Sequence, residues 1–132
     1  MYKRQILNNI LWYAIAETQT DYHVTFYSLL DSSSKAEKIL KIPKQHAAID
    51  INHPDIQALA WFSNGYFNLK QKDSTVQYID MRYPLLNAND PESSVFVFDL
   101  QKKQDRWDIV PFRGDAPSSE DFKAFFKRIK GI

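Results

Sequence analysis

Cysteine is absent from the 132 residues, which excludes disulfides, thiolate metal ligands and a cysteine nucleophile. Glycine occurs only three times, at Gly65, Gly114 and Gly131. These are too widely separated for a Gly-rich phosphate loop, so most turns must rely on Asn, Asp, Ser and Pro. Neither sign of charge dominates: 17 basic residues face 16 acidic ones, for a net charge of +1. A nucleic-acid partner normally leaves a clear basic excess, so none is expected. There is no run of ~18 apolar residues, so the chain is not expected to insert directly into a membrane. The opening MYKRQILNNILWYAIAET places basic residues before apolar ones, but Asn8 and Asn9 interrupt it. No small-residue cleavage site follows cleanly, and a signal peptide is not expected.

What is present is a globular composition, with 44% hydrophobic and 25% charged residues. Nine Phe, seven Tyr and three Trp mean that large rings must dominate the interior. The length suits one soluble domain spanning residues 1–132.

Alternation marks the first strands. Leu11, Tyr13 and Ile15 share one side of a strand over residues 10–17, and Tyr22, Val24, Phe26 and Ser28 share one side of a second over 22–30. The polar stretch 18–21 is short enough to join them as an antiparallel hairpin. A third strand is expected over 35–42. Residues 45–64 read as helical, broken near Asn52-His53-Pro54, with Asn52 as cap, Pro54 at the first helical position and Gly65 as a left-handed stop. Further strands are expected over 66–70, 75–83, 94–102 and 106–112, the third of these central and covered on both faces.

A final helix is expected over 118–130, capped by Ser118 with Asp121 three residues on. Its Phe122, Phe125, Phe126 and Ile129 follow the spacing of one buried stripe. Hairpins outnumber crossovers. The expectation is an α+β domain: a mainly antiparallel sheet of six or seven strands with helices, about 45–64 and 118–130, packed on it.

Chemistry is harder to find. His23, His46 and His53 lack the spacing of a zinc pair, and no metal or other cofactor is expected in this chain. Ser28 and Ser63 lack nucleophile-elbow glycines. The segment Tyr78-Ile-Asp-Met-Arg-Tyr-Pro84 is more informative. In a strand, Asp80 and Arg82 would project to one face with their tips in reach, while Ile79, Met81 and Tyr83 would enter the core. A guanidinium there, bidentate to Asp80 or Asp31, would either brace the sheet or present a cation to an anionic ligand. The candidate polar patch is therefore Asp31, Asp80 and Arg82 with Tyr27 and Ser28, in a structural role.

Five motifs appear in order: Asn9-Ile-Leu-Trp-Tyr13, Tyr27-Ser-Leu-Leu-Asp31, Leu59-Ala-Trp-Phe-Ser-Asn-Gly-Tyr66, Asp80-Met-Arg-Tyr83 and Phe96-Val-Phe98. Together they resemble the soluble C-terminal region of bacterial proteins described as predicted membrane-bound, metal-dependent hydrolases. The likeness covers roughly residues 5–102. Pro84 departs from the glycine that relatives often carry there, and the His-rich membrane portion that bears their metal motif is absent from this sequence.

The resemblance implies a non-catalytic accessory or interaction domain at the cytoplasmic face of a bacterial inner membrane, with the membrane-embedded portion of the parent protein as its partner. Without that portion, a soluble cytoplasmic location is expected. Trp12, Tyr27, Trp61 and Tyr66 would supply ring surface for the core or an interface. The rival expectation is a hydrolase or small anionic-ligand-binding domain. In it Asp31 or Asp80 would act as general base and Arg82 would bind the anion.

Overall fold

A computed structural model describes residues 2–5, 9–35, 38–110 and 118–131. Among them the chain forms β1 (Tyr2–Gln5), β2 (Leu11–Glu17), β3 (Asp21–Ser28), β4 (Leu40–Pro43), α1 (Pro54–Phe62), β5 (Phe67–Lys72), β6 (Thr75–Asp80), β7 (Val97–Lys103), β8 (Arg106–Val110) and α2 (Ser119–Ile129). This is an α+β fold in which every strand pairing is antiparallel. The strands form two four-stranded sheets, β1-β2-β3-β4 and β5-β6-β7-β8, each a simple meander. The chain divides into two compact units. The first comprises Met1–Pro43, Arg82–Val95 and Asp115–Ile132; the second comprises Lys44–Met81 and Phe96–Gly114.

In the first unit, alternation sets the faces of the sheet. The β2–β3 register pairs Leu11 with Ser28, Tyr13 with Phe26 and Ile15 with Val24. All six are buried. The opposite face pairs Trp12 with Tyr27 and Ala14 with Thr25, and these remain half-buried. The Tyr13 and Phe26 rings meet at 5.3 Å, tilted. The connecting turn closes when the Thr18 N–H donates to the Asp21 carbonyl at 2.8 Å and the Asp21 N–H donates to the Thr18 hydroxyl at 3.0 Å. Of the segment expected to be a strand over 35–42, β4 begins at Leu40, and residues 36 and 37 lie outside the described residues.

In the second unit, α1 packs on β5–β8 through Ile56, fully buried among Phe67, Leu69, Val76, Tyr78 and Leu100, with Leu59 and Ala60 beside it. Completely burying such a side chain stabilises by ~1.5–3 kcal/mol before entropy. The buried Tyr78 hydroxyl donates to the Leu59 carbonyl at 2.8 Å, so its polar end is satisfied. Of the helix expected over 45–64 only Pro54–Phe62 forms; residues 45–53 are turns and bends, with His46 bridged to Leu69. The cap of α1 is His53 rather than Asn52: its ring accepts from the Asp55 N–H at 3.2 Å. Gly65 ends the helix with φ +78° and an N–H bonded to the Ala60 carbonyl.

Several finer expectations are corrected. The strand leading to YIDMRYP stops at Asp80, and Met81 and Arg82 lie in a turn. Its buried side carries Val76, Tyr78 and Asp80, while Ile79 is half-buried on the other side. β7 occupies an interior position in its sheet, but only Leu100 on it is buried, so double coverage does not hold. On α2 the capping box is present, whereas the four-residue stripe is not buried: Phe122 and Phe126 are 47% and 57% exposed. The half-buried face is Ala124, Phe125, Arg128 and Ile129, one step round the helix. Residues 111 and 112 of the last expected strand lie outside the described residues.

Candidate functional site

The polar cluster of the first unit grows from the end of β3. Ser28 and Asp31 bracket a turn closed by the Asp31 N–H donating to the Ser28 carbonyl at 3.0 Å. Leu29 and Leu30 form the corner and are exposed. The Asp31 side chain folds back so that its Oδ2 accepts the Ser28 N–H at 2.9 Å. The Ser28 hydroxyl, completely buried, accepts from the Leu30 N–H at 3.1 Å and donates to the Ile129 carbonyl at 2.6 Å. That carbonyl belongs to the last turn of α2, where the helix supplies no N–H donor to its own carbonyls.

Arg128 completes the arrangement. Nη1 donates to Asp31 Oδ1 at 2.6 Å, Nη2 donates to Asp31 Oδ2 at 2.6 Å, and Nη2 also donates to the Phe26 carbonyl at 3.0 Å. This is a two-pronged guanidinium–carboxylate pair, the strongest charge-assisted geometry available to side chains. It is mostly withdrawn from solvent, with side-chain exposures of 22% for Arg128 and 9% for Asp31. The Arg128 hydrogen bond is the main reason the Asp31 carboxyl sits below the usual carboxylate range. Burial opposes it, and the Ser28 amide adds to it. Gly131, with φ +73°, follows the helix so closely that a Cβ there would stand 2.5 Å from the Leu30 carbonyl oxygen. Four residues of β3 and its turn therefore hold the C-terminal end of α2.

These contacts decide the chemistry of two sequence candidates. A general base near neutral pH needs an available lone pair and a raised pKa. Asp31 has both oxygens engaged and its pKa is displaced in the opposite direction. Ser28 donates its proton to a backbone carbonyl. The bidentate partner of Asp31 is Arg128, not Arg82. In sequence Arg128 was legible only as a last-turn cation favourable to the helix dipole; the signal available was its place at i+4 from Ala124 and i+3 from Phe125.

Asp80 and Arg82 are both buried, at 1% and 9% exposure. Asp80 ends β6 in the second unit, and its N–H donates to the Phe96 carbonyl at 3.1 Å. Arg82 opens the Arg82–Val95 segment of the first unit. Tyr27 stands opposite Trp12 on the outer sheet face, where both line an apolar groove of about 450 Å³ with Tyr13, Ala14 and Leu29. Trp61 is 83% exposed on α1, and Tyr66 is half-buried.

A second cluster, unanticipated in sequence, joins α1 to the β7–β8 hairpin. Asp55 Oδ2 accepts the Trp107 N–H at 2.9 Å and the Arg106 Nε–H at 3.0 Å. The Trp107 amide and then Arg106 lower the Asp55 pKa, and Asp55 raises that of Arg106 in return. His53 Nε2 lies 2.9 Å from the Asp105 carbonyl. Since Nδ1 accepts the Asp55 N–H, the Nε2–H tautomer satisfies both contacts. His23 and His46 are elsewhere: the first on the half-buried face of β3, the second stacked on Phe67 at 5.6 Å. Among the described residues no three His, Asp or Glu side chains gather as metal ligands, and no helix is long and apolar enough to cross a membrane. No family model, curated protein or solved structure matches the chain.

Proposed function

We propose that this chain is a non-catalytic accessory or interaction domain, the soluble C-terminal part of a bacterial inner-membrane protein of the predicted metal-dependent hydrolase kind. One observation carries the non-catalytic reading. The candidate carboxylate Asp31 is bound at both oxygens by Arg128 and at one of them by the Ser28 amide, in a contact that docks a helix. Exposed rings at Trp61, Phe122 and Phe126 supply surface of the composition that protein interfaces favour. The ordered motifs from Asn9 to Phe98 support the membrane-attached parent, whose embedded portion would be the covalent partner at the cytoplasmic face.

Fractionation of native cells with an antibody to this chain tests the proposal. The expected result is a polypeptide distinctly larger than 15.5 kDa that pellets with the inner membrane and needs detergent for release. Recovery as a 15.5 kDa species in the supernatant would overturn the membrane-attached reading. Hydrolysis of simple ester or phosphoester substrates by the purified chain, abolished in Asp31→Asn with the fold intact, would overturn the non-catalytic one.

A further inference from the structure

One side of α2 faces a groove. Glu120, Lys123, Ala124, Lys127 and Arg128 recur at helical spacing along it, opposite Asn87, Ala88 and Asn89, around a cavity of about 450 Å³. It adjoins a smaller chamber of about 160 Å³ that shares Ala88, Asn89 and Arg128 and reaches Val24, Phe26 and Leu40, with Lys38 at its margin. All these residues belong to the first unit. The alanines at 88 and 124 are what leave the space open.

The wall opposite the helix is preformed. The Leu86 N–H donates to the Ser93 carbonyl at 2.9 Å, the Ser93 hydroxyl lies 2.7 Å from the Asp90 carbonyl, and the Asn89 N–H donates to Asn87 Oδ1 at 2.9 Å. Lys38 Nζ donates to Asn89 Oδ1 at 2.6 Å, pinning the loop to the segment before β4. The charge around this concavity is one-sided. Arg128 is neutralised by Asp31, and among the residues that line the two chambers this leaves Lys38, Lys123 and Lys127 with the single acid Glu120. Lys123 and Lys127 are also like charges one helical turn apart, a pairing that costs stability unless an anion lies between or beside them.

We propose that this groove binds a small organic anion, a phosphate monoester with a compact apolar substituent. The phosphate meets Lys123, Lys127 and the asparagine amides, and the substituent enters the chamber floored by Val24, Phe26 and Leu40. Oxygen-rich anions match point-charge ammonium groups and amide donors, and the apolar floor adds burial that inorganic phosphate cannot use. This groove adjoins the Asp31–Arg128 pair through Arg128, uses neither candidate carboxylate, and stands whether or not the chain belongs to a membrane-attached parent.

The test is a chemical-shift titration of the intact chain with phenyl phosphate, inorganic phosphate and phenol, following the backbone amides of Ala88, Asn89 and Ala124. Phenyl phosphate is expected to give saturable shifts at these amides, more tightly than either fragment. Lys123→Gln with Lys127→Gln should weaken it about fivefold or more, and added salt should weaken it further. Ala124→Leu, which fills the groove and keeps every charge, should abolish it. Absence of saturable shifts, shifts that survive both variants, or equal affinity for inorganic phosphate would overturn the proposal. So would sedimentation with phosphatidic-acid vesicles that Ala124→Leu leaves unchanged, because the lysines would then be serving a lipid surface.

Discussion

Arg128 illustrates how a single side chain settles the role of its neighbours. Replacing it with Met strands a largely buried carboxylate, and the expected loss in chemical denaturation is about 2–4 kcal/mol. Lys at that position should recover only part of this, since a point charge cannot bridge both oxygens. The acid limb of the stability curve supplies a second check. Because the folded pKa of Asp31 lies below its unfolded value, the pair contributes fully above the ordinary carboxylate range near ~3.9 and loses its contribution as pH falls through the lowered folded value. The gap between the parent chain and Asp31→Asn should therefore be constant from pH 7 to about 5 and shrink below about 4. A gap that widens on acidification would contradict the assignment. The sequence pointed to an arginine–aspartate brace centred on Arg82; for Asp31 the partner is instead Arg128, because adjacency within YIDMRYP was visible and a contact spanning 97 residues was not.

At the scale of elements, local signals were read better than orientation. The alternating residues of β2 and β3 fixed both faces correctly, since a strand has a period of two and its buried side is apolar. The Ser118–Asp121 capping box was equally plain, and both of its hydrogen bonds are present. The direction in which α2 faces was not legible. Phe122 and Phe126 matched a buried stripe, but the bidentate contact of Arg128 and the Ser28 bond to Ile129 turn the helix so that Phe125 faces inward.

Thermal unfolding of variants can separate these effects. Ser118→Ala should cost about 1 kcal/mol through the lost cap. Phe122→Ser should stay within about 0.5 kcal/mol, as an exposed site. Gly131→Ala should cost about 1–3 kcal/mol, because it adds strain at positive φ to a collision with the Leu30 backbone. The cap of α1 was misplaced by one residue for a similar reason: Asn52 has the better propensity, but the His53 ring reaches the Asp55 amide.

For the molecule as a whole, an α+β architecture with antiparallel strands was evident from hairpin spacing, whereas the division into two sheets was not. Nothing in composition marks the passages at residues 43, 81, 95 and 114, and pairing partners are a property of three dimensions. The second unit contains its own layered core, with α1 over Phe67, Leu69, Val76, Tyr78 and Leu100. Its segments approach where the Asp80 N–H meets the Phe96 carbonyl, so residues 82–95 can be replaced by a short turn without separating β6 from β7. The resulting piece, Lys44–Met81 joined to Phe96–Gly114, is expected to unfold cooperatively and to keep near-ultraviolet ring signals from Tyr78 and Phe67. A non-cooperative melt would show that this core needs the rest of the chain.

The interleaving of the two units carries a consequence for inheritance. A recombination event with a single crossover point cannot lift either one out whole, because the stretch from Arg82 to Val95 belongs to the first while both of its flanks belong to the second. Gene shuffling by simple breakage would therefore be expected to transmit the pair together or destroy both.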